Sequence, residues 1–266
     1  MALTLTILGC GSSGGVPRVA QGWGACDPSE PRNRRRRCAM LVEQTGPEGV
    51  TTVLIDTGPD LREQLVQAGV TRLDAVLYTH DHADHTHGID DLRPLVLAMR
   101  RRIVAHADET TAGSLRERFG YCFASPPGSD YPPIVDLAPF APHQPIAVAG
   151  PGGTVTFVPF PVEHGAGYRA FGFRVNECVY CPDINRLPDE SAGYFDAAGT
   201  VILDALRYTR HPTHFSVDEA LAVIARHRPE RAVLTNLHSD IDYATLAARL
   251  PAGIVPAHDG MVIQTG

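Results

Sequence analysis

Residues 76–88 read VLYTHDHADHTHG: an apolar run of strand character gives way, between His80 and His87, to four histidines and two aspartates within eight positions. A chain carrying this segment must fold so that those side chains are satisfied, because a buried polar group without a partner costs roughly 2–7 kcal/mol. His80 and His82 are two residues apart, so in an extended segment both imidazoles face one point. Asp84 and His85 follow across a turn and can face a second point. Imidazole nitrogen and carboxylate oxygen suit zinc, manganese or iron, and a set without thiolate suits an ion with open coordination positions better than a closed structural one. The competing reading, a solvated polar turn, leaves the density of the cluster unexplained.

The rest of the chain can support such a site. With 266 residues, 44% hydrophobic and 20% charged, it can bury a sizeable core, and the lack of a Ser/Gly-rich or charge-block linker predicts a single domain over 1–266. A net charge of −7 disfavours tight, sequence-independent binding to nucleic acid, which draws on many contacts from Lys or Arg to phosphate. All 23 basic residues are arginine, which excludes a catalytic lysine. Cys10, Cys26, Cys38, Cys122, Cys178 and Cys181 lack the spacing of a disulfide framework and are expected as free thiols. The opening MALTLTILGCG has no basic region, and no stretch reaches the roughly 18 apolar residues of a membrane span, so a soluble, cytoplasmic protein is expected.

Runs of β-branched and apolar residues punctuated by Gly and Pro predict strands at 3–8, 39–43, 51–55, 74–79 and 102–105, and again near 154–160, 169–176, 178–181, 200–204, 231–235, 254 and 262. Helices are predicted from the Thr57-Gly58-Pro59-Asp60 opening to Gly69 and over about 108–118, 216–227 and 242–250, with a Pro-rich connection at 126–145. Strand-rich stretches in both halves with helices between them make an α/β (α+β) chain in which two mixed sheets pack together with helices outside.

The H-x-H-x-D-H pattern of His80, His82, Asp84 and His85 after an apolar strand resembles the signature of the metallo-β-lactamase superfamily, and the resemblance covers most of the chain. Asp56 in VLIDTG matches that superfamily's first motif, His164 in PFPVEHG the third and Asp183 in VYCPDIN the acidic fourth. The resemblance implies a four-layer αββα sandwich with two divalent ions at one edge, zinc or manganese, with iron also compatible. His80, His82 and His164 would hold one ion, and Asp84, His85 and a further histidine the other. Asp183 would bridge the two, and Asp56 would orient a ligand from behind. Members similar to tRNase Z carry the last histidine in an L-T-H run. Here the run is VLTNLHSD, with Asn236 at that position; His238, two residues on and on the same face of an extended strand, is the candidate ahead of His258.

HPTHFSVDEAL, residues 211–221, contains H-x-S-x-x-E-A from His214 and is similar to an element of the phosphodiesterase branch whose histidine supplies a proton to the leaving oxygen. Ser216 and Glu219 have capping-box spacing, which would hold His214 on a short approach to a helix; the plain alternative is an ordinary cap beside a bystander histidine. Two ions and an acid suit in-line displacement at phosphorus, with His214, Asp56 and Asp183 as the catalytic set and a small phosphodiester, cyclic ones included, as substrate. LTLTILGCGSSGGVPR, RNRRRRC and HDGM are similar to the carbon-phosphorus lyase accessory phosphodiesterase family, which opens 5-phosphoribosyl 1,2-cyclic phosphate. Of that family's structural zinc cluster only Cys26 is present, and Ser239 falls where its late histidine is expected, so no structural zinc is expected. Only eighteen residues separate His164 from Asp183, which leaves no room for the arm that grips tRNA in tRNase Z. RNA processing, thioester or lactone hydrolysis of the glyoxalase II kind, and a non-catalytic scaffold are the alternatives; a homodimer is compatible with family analogy.

Gly9-Cys10-Gly11-Ser12-Ser13-Gly14 satisfies G-x-G-x-x-G, yet Pro17, Gly22, Gly24 and Pro28 follow where a dinucleotide fold needs a helix. The glycines are read instead as letting the backbone pass close to the metal site, with Ser12 a candidate substrate contact. Cys178 and Cys181 form C-x-x-C, but a three-residue step in a strand puts the thiols on opposite faces, which predicts small buried residues. Arg34 to Arg37 is either a solvated loop or a source of guanidiniums for a substrate phosphate, Arg35 and Arg37 foremost, with Arg18 in the same class.

Overall fold

The computed structural model describes residues 3–265. The chain opens with an antiparallel run, β1 (Leu3–Gly9), β2 (Ala39–Gly46) and β3 (Gly49–Ile55), and continues in parallel through β4 (Ala75–Leu77), β5 (Ile103–Ala107) and β6 (Val135–Pro139). Its connections carry α1 (Leu61–Gln67), α2 (Ala83–Thr86), α3 (Arg93–Met99) and α4 (Glu109–Phe123). The second half repeats the plan. Strands β7 (Ile146–Gly150), β8 (Gly153–Glu163), β9 (Arg169–Val175) and β10 (Cys178–Cys181) pair antiparallel, and β11 (Thr200–Asp204), β12 (Arg231–Thr235) and β13 (Ile254–Pro256) continue in parallel. Here the connections carry α5 (Asp189–Ala192), α6 (Val217–His227) and α7 (Tyr243–Ala247), and β14 (Met261–Thr265) returns to pair with β1. The two seven-stranded sheets thus read β14-β1-β2-β3-β4-β5-β6 and β7-β8-β9-β10-β11-β12-β13, each with three antiparallel pairings followed by three parallel ones.

Strand alternation sorts the apolar side chains into three cores. Leu5, Ile7, Val53 and Ile55 of the first sheet meet Phe157, Phe173, Tyr180 and Ile202 of the second between the sheets. Leu41, Leu54 and Val76 point the other way, under Leu61, Leu95 and Leu115 of α1, α3 and α4. Val179, Val201 and Leu234 likewise lie under Val217, Ala220 and Ile224 of α6. Burying one such side chain fully stabilises the fold by roughly 1.5–3 kcal/mol, and only the αββα layering gives every face a partner. Cys178 joins the inter-sheet core and Cys181 the outer one, on opposite faces as their spacing predicted, and all six thiols are buried and unpaired.

Several elements differ from the sequence expectation. The helix expected from Thr57 begins only at Leu61, and the Asp60 carboxylate, instead of capping it, accepts from Arg37 N at 2.8 Å and pairs with Arg37 Nε at 3.0 Å. The strand expected over 74–79 ends at Leu77, because Thr79 N turns away to Asp56 Oδ1 at 2.8 Å. The Pro-rich stretch at 126–145 contains β6, and α3, with Pro94 in its first turn, was not anticipated. No helix among the described residues is long and apolar enough to cross a membrane.

In parallel sheets, binding loops gather outside the carboxyl ends of the strands. Asp56 follows β3, the 80–85 turn follows β4, Asp183 follows β10, Asp204 ends β11 and Asn236 follows β12. The face-to-face sheets bring these ends together at one edge.

Candidate metal centre

The first half supplies a compact set. Asp56, fully buried and at φ +66°, accepts hydrogen bonds from Thr79 N and Thr79 Oγ1, both at 2.8 Å, and from His85 Nδ1 at 2.7 Å. It therefore fixes the His85 ring so that Nε2 points outward, toward Asp183 Oδ2 at 3.1 Å and Asp84 Oδ2 at 3.5 Å. His80 places Nε2 3.0 Å from His82 Nδ1, and His164 places Nε2 3.2 Å from the same atom. Gly58 is needed beneath this turn, since a side chain there would collide with the Asp84 carbonyl. His87, the fourth histidine of the run, packs edge-on against Phe119 instead.

The second half supplies single residues from separate loops. His164 Nδ1 donates to the Thr213 carbonyl at 2.7 Å, which leaves Nε2 as the free ring nitrogen. Asp183 lies 3.8 Å from His164 and 3.5 Å from His214 through Oδ1. His214 Nδ1 donates to Asp204 Oδ2 at 2.8 Å. Ser216 and Glu219 form the expected capping box, so His214 enters the site from a fixed helix start. Asn236 donates from Nδ2 to Asp183 Oδ1 and to Asp204 Oδ1, each at 3.2 Å.

These donors fit divalent ions. His80, His82 and His164 offer ligand atoms within 4.8 Å of one another, as do His80, His85 and Asp183, and also His164, Asp183 and His214. Burial keeps the imidazoles in the neutral, metal-binding form: it pulls His82 down, His80 well down and His164 to about 4. Around His85 burial acts in the same direction, but the Asp183, Asp56 and Asp84 carboxylates outweigh it and push the pKa well up, so this spot strongly favours positive charge. His85 Nε2 and Asp183 Oδ2 are both buried and neither has a hydrogen-bond partner. A cation between them would satisfy both. At His214 burial is likewise outweighed, by Asp204 and then Asp183, and the pKa rises to about 9.

Several residues in or beside the centre were not anticipated. Asp204 could have been found, since VILD at 201–204 repeats the pattern of VLID at 53–56. Tyr168 stacks on His82 with ring centroids 4.7 Å apart and an interplanar angle of 10°, and its hydroxyl donates to Asp81, which also accepts from Ser114 Oγ at 2.6 Å. Nothing in the sequence pattern singles out that tyrosine.

His238 does not join the cluster: its Nδ1 bonds Asp240 Oδ1 at 2.9 Å. The same-face step fails because β12 stops at Thr235 and Asn236 takes φ +61°, which ends the alternation. Asn236, not His238, occupies the spot beside Asp183. His258 bonds its neighbour's carbonyl and lines a different cavity. The Gly9–Gly15 loop does pass close to the centre, with Leu237 N donating to Cys10 O at 2.8 Å. Ser12 is buried and accepts from Arg18 Nη1 at 3.3 Å.

The arginine run divides by role. Arg35, only 1% exposed, donates to His238 O, Asn33 Oδ1 and Cys26 Sγ, so its guanidinium is committed to holding the loop. Arg36 pairs with Asp259 and Arg37 with Asp60, while Arg34 lies over Trp23 at 5.3 Å. Together they line a cavity of about 470 Å³ that also touches Gly15 and His258.

Comparison with known proteins agrees with this architecture. A diphosphatase from the PhnP family, of solved structure, is 34% identical and superposes with a TM-score of 0.89 over 100% of this chain and 98% of that one. An octanoyltransferase of Porphyromonas gingivalis is 30% identical over 260 residues, 96% of this chain and 50% of that protein, so the chain spans half the length of that relative. A ribonuclease Z of Bradyrhizobium diazoefficiens is 42% identical over 66 residues, 24% of this chain and 21% of that protein. Residues 51–236 match the model of the beta-lactamase superfamily domain, and the chain belongs to that superfamily.

Proposed function

We propose that the chain is a metal-dependent hydrolase acting at phosphorus, on a small phosphodiester or diphosphate. The observation that carries this reading is the His214–Asp204 pair at 2.8 Å, set 3.5 Å from Asp183. A histidine whose pKa is pushed up to about 9 holds its proton at neutral pH and can give it to a departing oxygen. Leaving oxygens of diesters and anhydrides need such a proton. Divalent cations held by His80, His82, Asp84, His85, His164 and Asp183 would supply Lewis acidity, activating water and offsetting charge on phosphoryl oxygen. Asp204 keeps His214 in one orientation, Asp56 does the same for His85, and Tyr168 covers one face of the otherwise exposed His82. Of the arginines considered for substrate, Arg18 and those at 34–37, Arg18 and Arg34 have no carboxylate partner among the described residues and are the ones left to meet an anionic substrate.

The 34% identity to a protein named a diphosphatase supports the same reaction class, and the net charge of −7 favours a small substrate over folded RNA. The test is a hydrolysis panel containing aryl phosphodiesters, 5-phosphoribosyl 1,2-cyclic phosphate, nucleoside diphosphate conjugates, lactones and thioesters, run with Zn²⁺ and with Mn²⁺. Turnover confined to phosphoryl compounds is expected. Turnover confined to lactones or thioesters would reject the role of His214 and with it the reaction class.

A further inference from the structure

We propose that the arginine-lined cavity beside the metal centre is a second binding site, one for a phosphomonoester dianion carried on a small hydroxylated molecule. The inference stands on the cavity itself and does not depend on the reaction proposed above.

The cavity, about 470 Å³, lies between the Gly15–Pro17 strap, the arginine run, Glu63 and Gln67 of α1, and Asp259. His80, His82, Asp84, His85, His164 and Asp183 do not line it. It nonetheless shares a wall with the centre, since a side chain at Gly58 would meet both the Asp84 carbonyl and, at 3.5 Å, Arg37 Cβ.

Charge is the first reason for an anion. Although the chain carries −7 overall, two of the lining carboxylates are already paired, Asp60 with Arg37 and Asp259 with Arg36, each at 3.0 Å. Arg34 and Arg35 line the cavity with no carboxylate in ion-pair reach among the described residues, and Glu63 is the lining carboxylate that stands against them. Arg35 weighs most. It is 1% exposed, donates to the neutral acceptors His238 O, Asn33 Oδ1 and Cys26 Sγ, and its Nε has no partner. A buried cation without a counter-ion is costly, and an anion in the cavity that it lines would offset that cost.

Arg34 and Arg37 supply the donors. Arg37 meets Asp60 through Nε, while its Nη1 and Nη2, like the whole Arg34 guanidinium, make no hydrogen bond among the described residues. Planar forks of this kind suit phosphoryl oxygens. Their frame is set before any ligand arrives: Val16 and Arg35 exchange backbone hydrogen bonds at 2.8 and 2.9 Å, and Arg36 N and Arg37 N donate to Asp259 and Asp60, each at 2.8 Å. The volume falls in the range of small-molecule sites, about 300–1,000 Å³, so the dianion comes attached to a larger body. Glu63 and Gln67, one turn apart on α1, offer acceptors for hydroxyl groups, and apart from the His258 imidazole no ring lines the cavity for a nucleobase to stack on. A phosphorylated polyol fits these walls.

The test titrates inorganic phosphate, glucose 6-phosphate and glucose into the full, metal-loaded chain by calorimetry, with Trp23 emission followed in parallel. Trp23 is the chain's one tryptophan and Arg34 lies over its ring at 5.3 Å, so an anion that draws Arg34 away changes the emission. Saturable binding of glucose 6-phosphate is expected, tighter than that of inorganic phosphate and absent for glucose, with a matching change at Trp23. Arg34→Gln, which breaks no ion pair, should weaken binding by about 10-fold, and Arg34→Gln/Arg37→Gln by on the order of 100-fold, as one and then two charge-assisted hydrogen bonds are lost. Arg102→Gln, which removes the same charge from a surface pair with Asp136, should change nothing. Trp23 emission that ignores saturating glucose 6-phosphate in the unaltered protein, or affinity unchanged in both arginine variants, would overturn the proposal. So would an equal loss in Arg102→Gln, or binding abolished by Asp183→Ala and indifferent to the arginines, which would place the phosphate on the metals. The source of the dianion is read with an aryl phosphodiester as substrate: competition by glucose 6-phosphate marks the cavity as the seat of a substrate's far end, and an unchanged KM marks a separate effector. Failure of the hydrolysis panel would leave the binding data untouched, so the two readings fall separately.

Discussion

The two sheets have the same pairing order, yet they furnish the centre in different ways. The first half delivers His80, His82, Asp84 and His85 from one turn after β4, with Asp56 behind them. The second half delivers His164, Asp183, Asp204, His214 and Asn236 from separate loops. The first half contributes His80 and His82, imidazoles that burial keeps neutral; the second contributes one such imidazole, His164, together with carboxylates, an amide donor and His214, whose pKa is pushed up to about 9. On the proposed reading the first half serves mainly to hold ions while the second adds a proton donor, and Asp183 is the carboxylate that faces His85 on one side and His214 on the other.

That division can be broken at its shared point. Asp183→Ala, which removes the carboxylate contacting His85, His164 and His214, is expected to lower bound metal and reduce hydrolysis to background, read by elemental analysis and initial rates. The proton-handling side can be removed alone. His214→Ala should lower kcat by about 10²–10⁴-fold on substrates with poor leaving groups and far less on nitrophenyl esters, which need no acid. A matched pair of changes sharpens the contrast further. Asp56→Asn, which weakens the carboxylate behind His85, should reduce affinity for the adjacent ion by about 10–100-fold. Asp204→Asn should leave ion content unchanged while slowing turnover, so equal metal loss in both variants would erase the distinction between the halves.

The smallest effect tests how the loop ahead of β2 is tied to the second half. Asp242 caps α7 through Thr245 N at 2.9 Å and also accepts from Asn33 Nδ2 at 2.7 Å and Asp27 N at 3.2 Å. Partial burial would raise its pKa, but those hydrogen bonds win and lower it to about 2. Because the folded value lies below the ordinary carboxylate value of about 3.9, the stabilisation is present above that value and is lost as pH falls toward about 2. Asp242→Ala should cost about 0.5–2 kcal/mol near neutrality, at the low end because solvent screens this partly exposed group. The gap in urea midpoint from wild type should narrow on acidification; a constant gap would reject the assignment.

Much of this was legible in the chain itself. Alternating apolar runs announced most strands, and the density of residues 80–87 announced a polar cluster at one strand end, in which His80, His82, Asp84 and His85 converge while Asp81 and His87 turn to other partners. His164 and Asp183 were visible through their motifs, and the capping box at Ser216 was visible through spacing. Tyr168 and Asp81 were not, since a stacked ring and a shared hydroxyl leave no periodic trace. His238 was misplaced for a sharper reason: facing was inferred from an extended step, and the chain leaves extended geometry at Asn236.

What the sequence by itself determined was most of the strands and the longer helices, their layering and the chemical identity of the donors, all consequences of local pattern and residue type. Only the tertiary structure decided which donors meet, that Asn236 rather than His238 lies against Asp183, and that Arg35 is spent inside the fold. The reason is geometric: convergence of loops far apart in the chain depends on sheet packing and on single backbone dihedrals, and a shift of one residue in register sends a side chain to the opposite face.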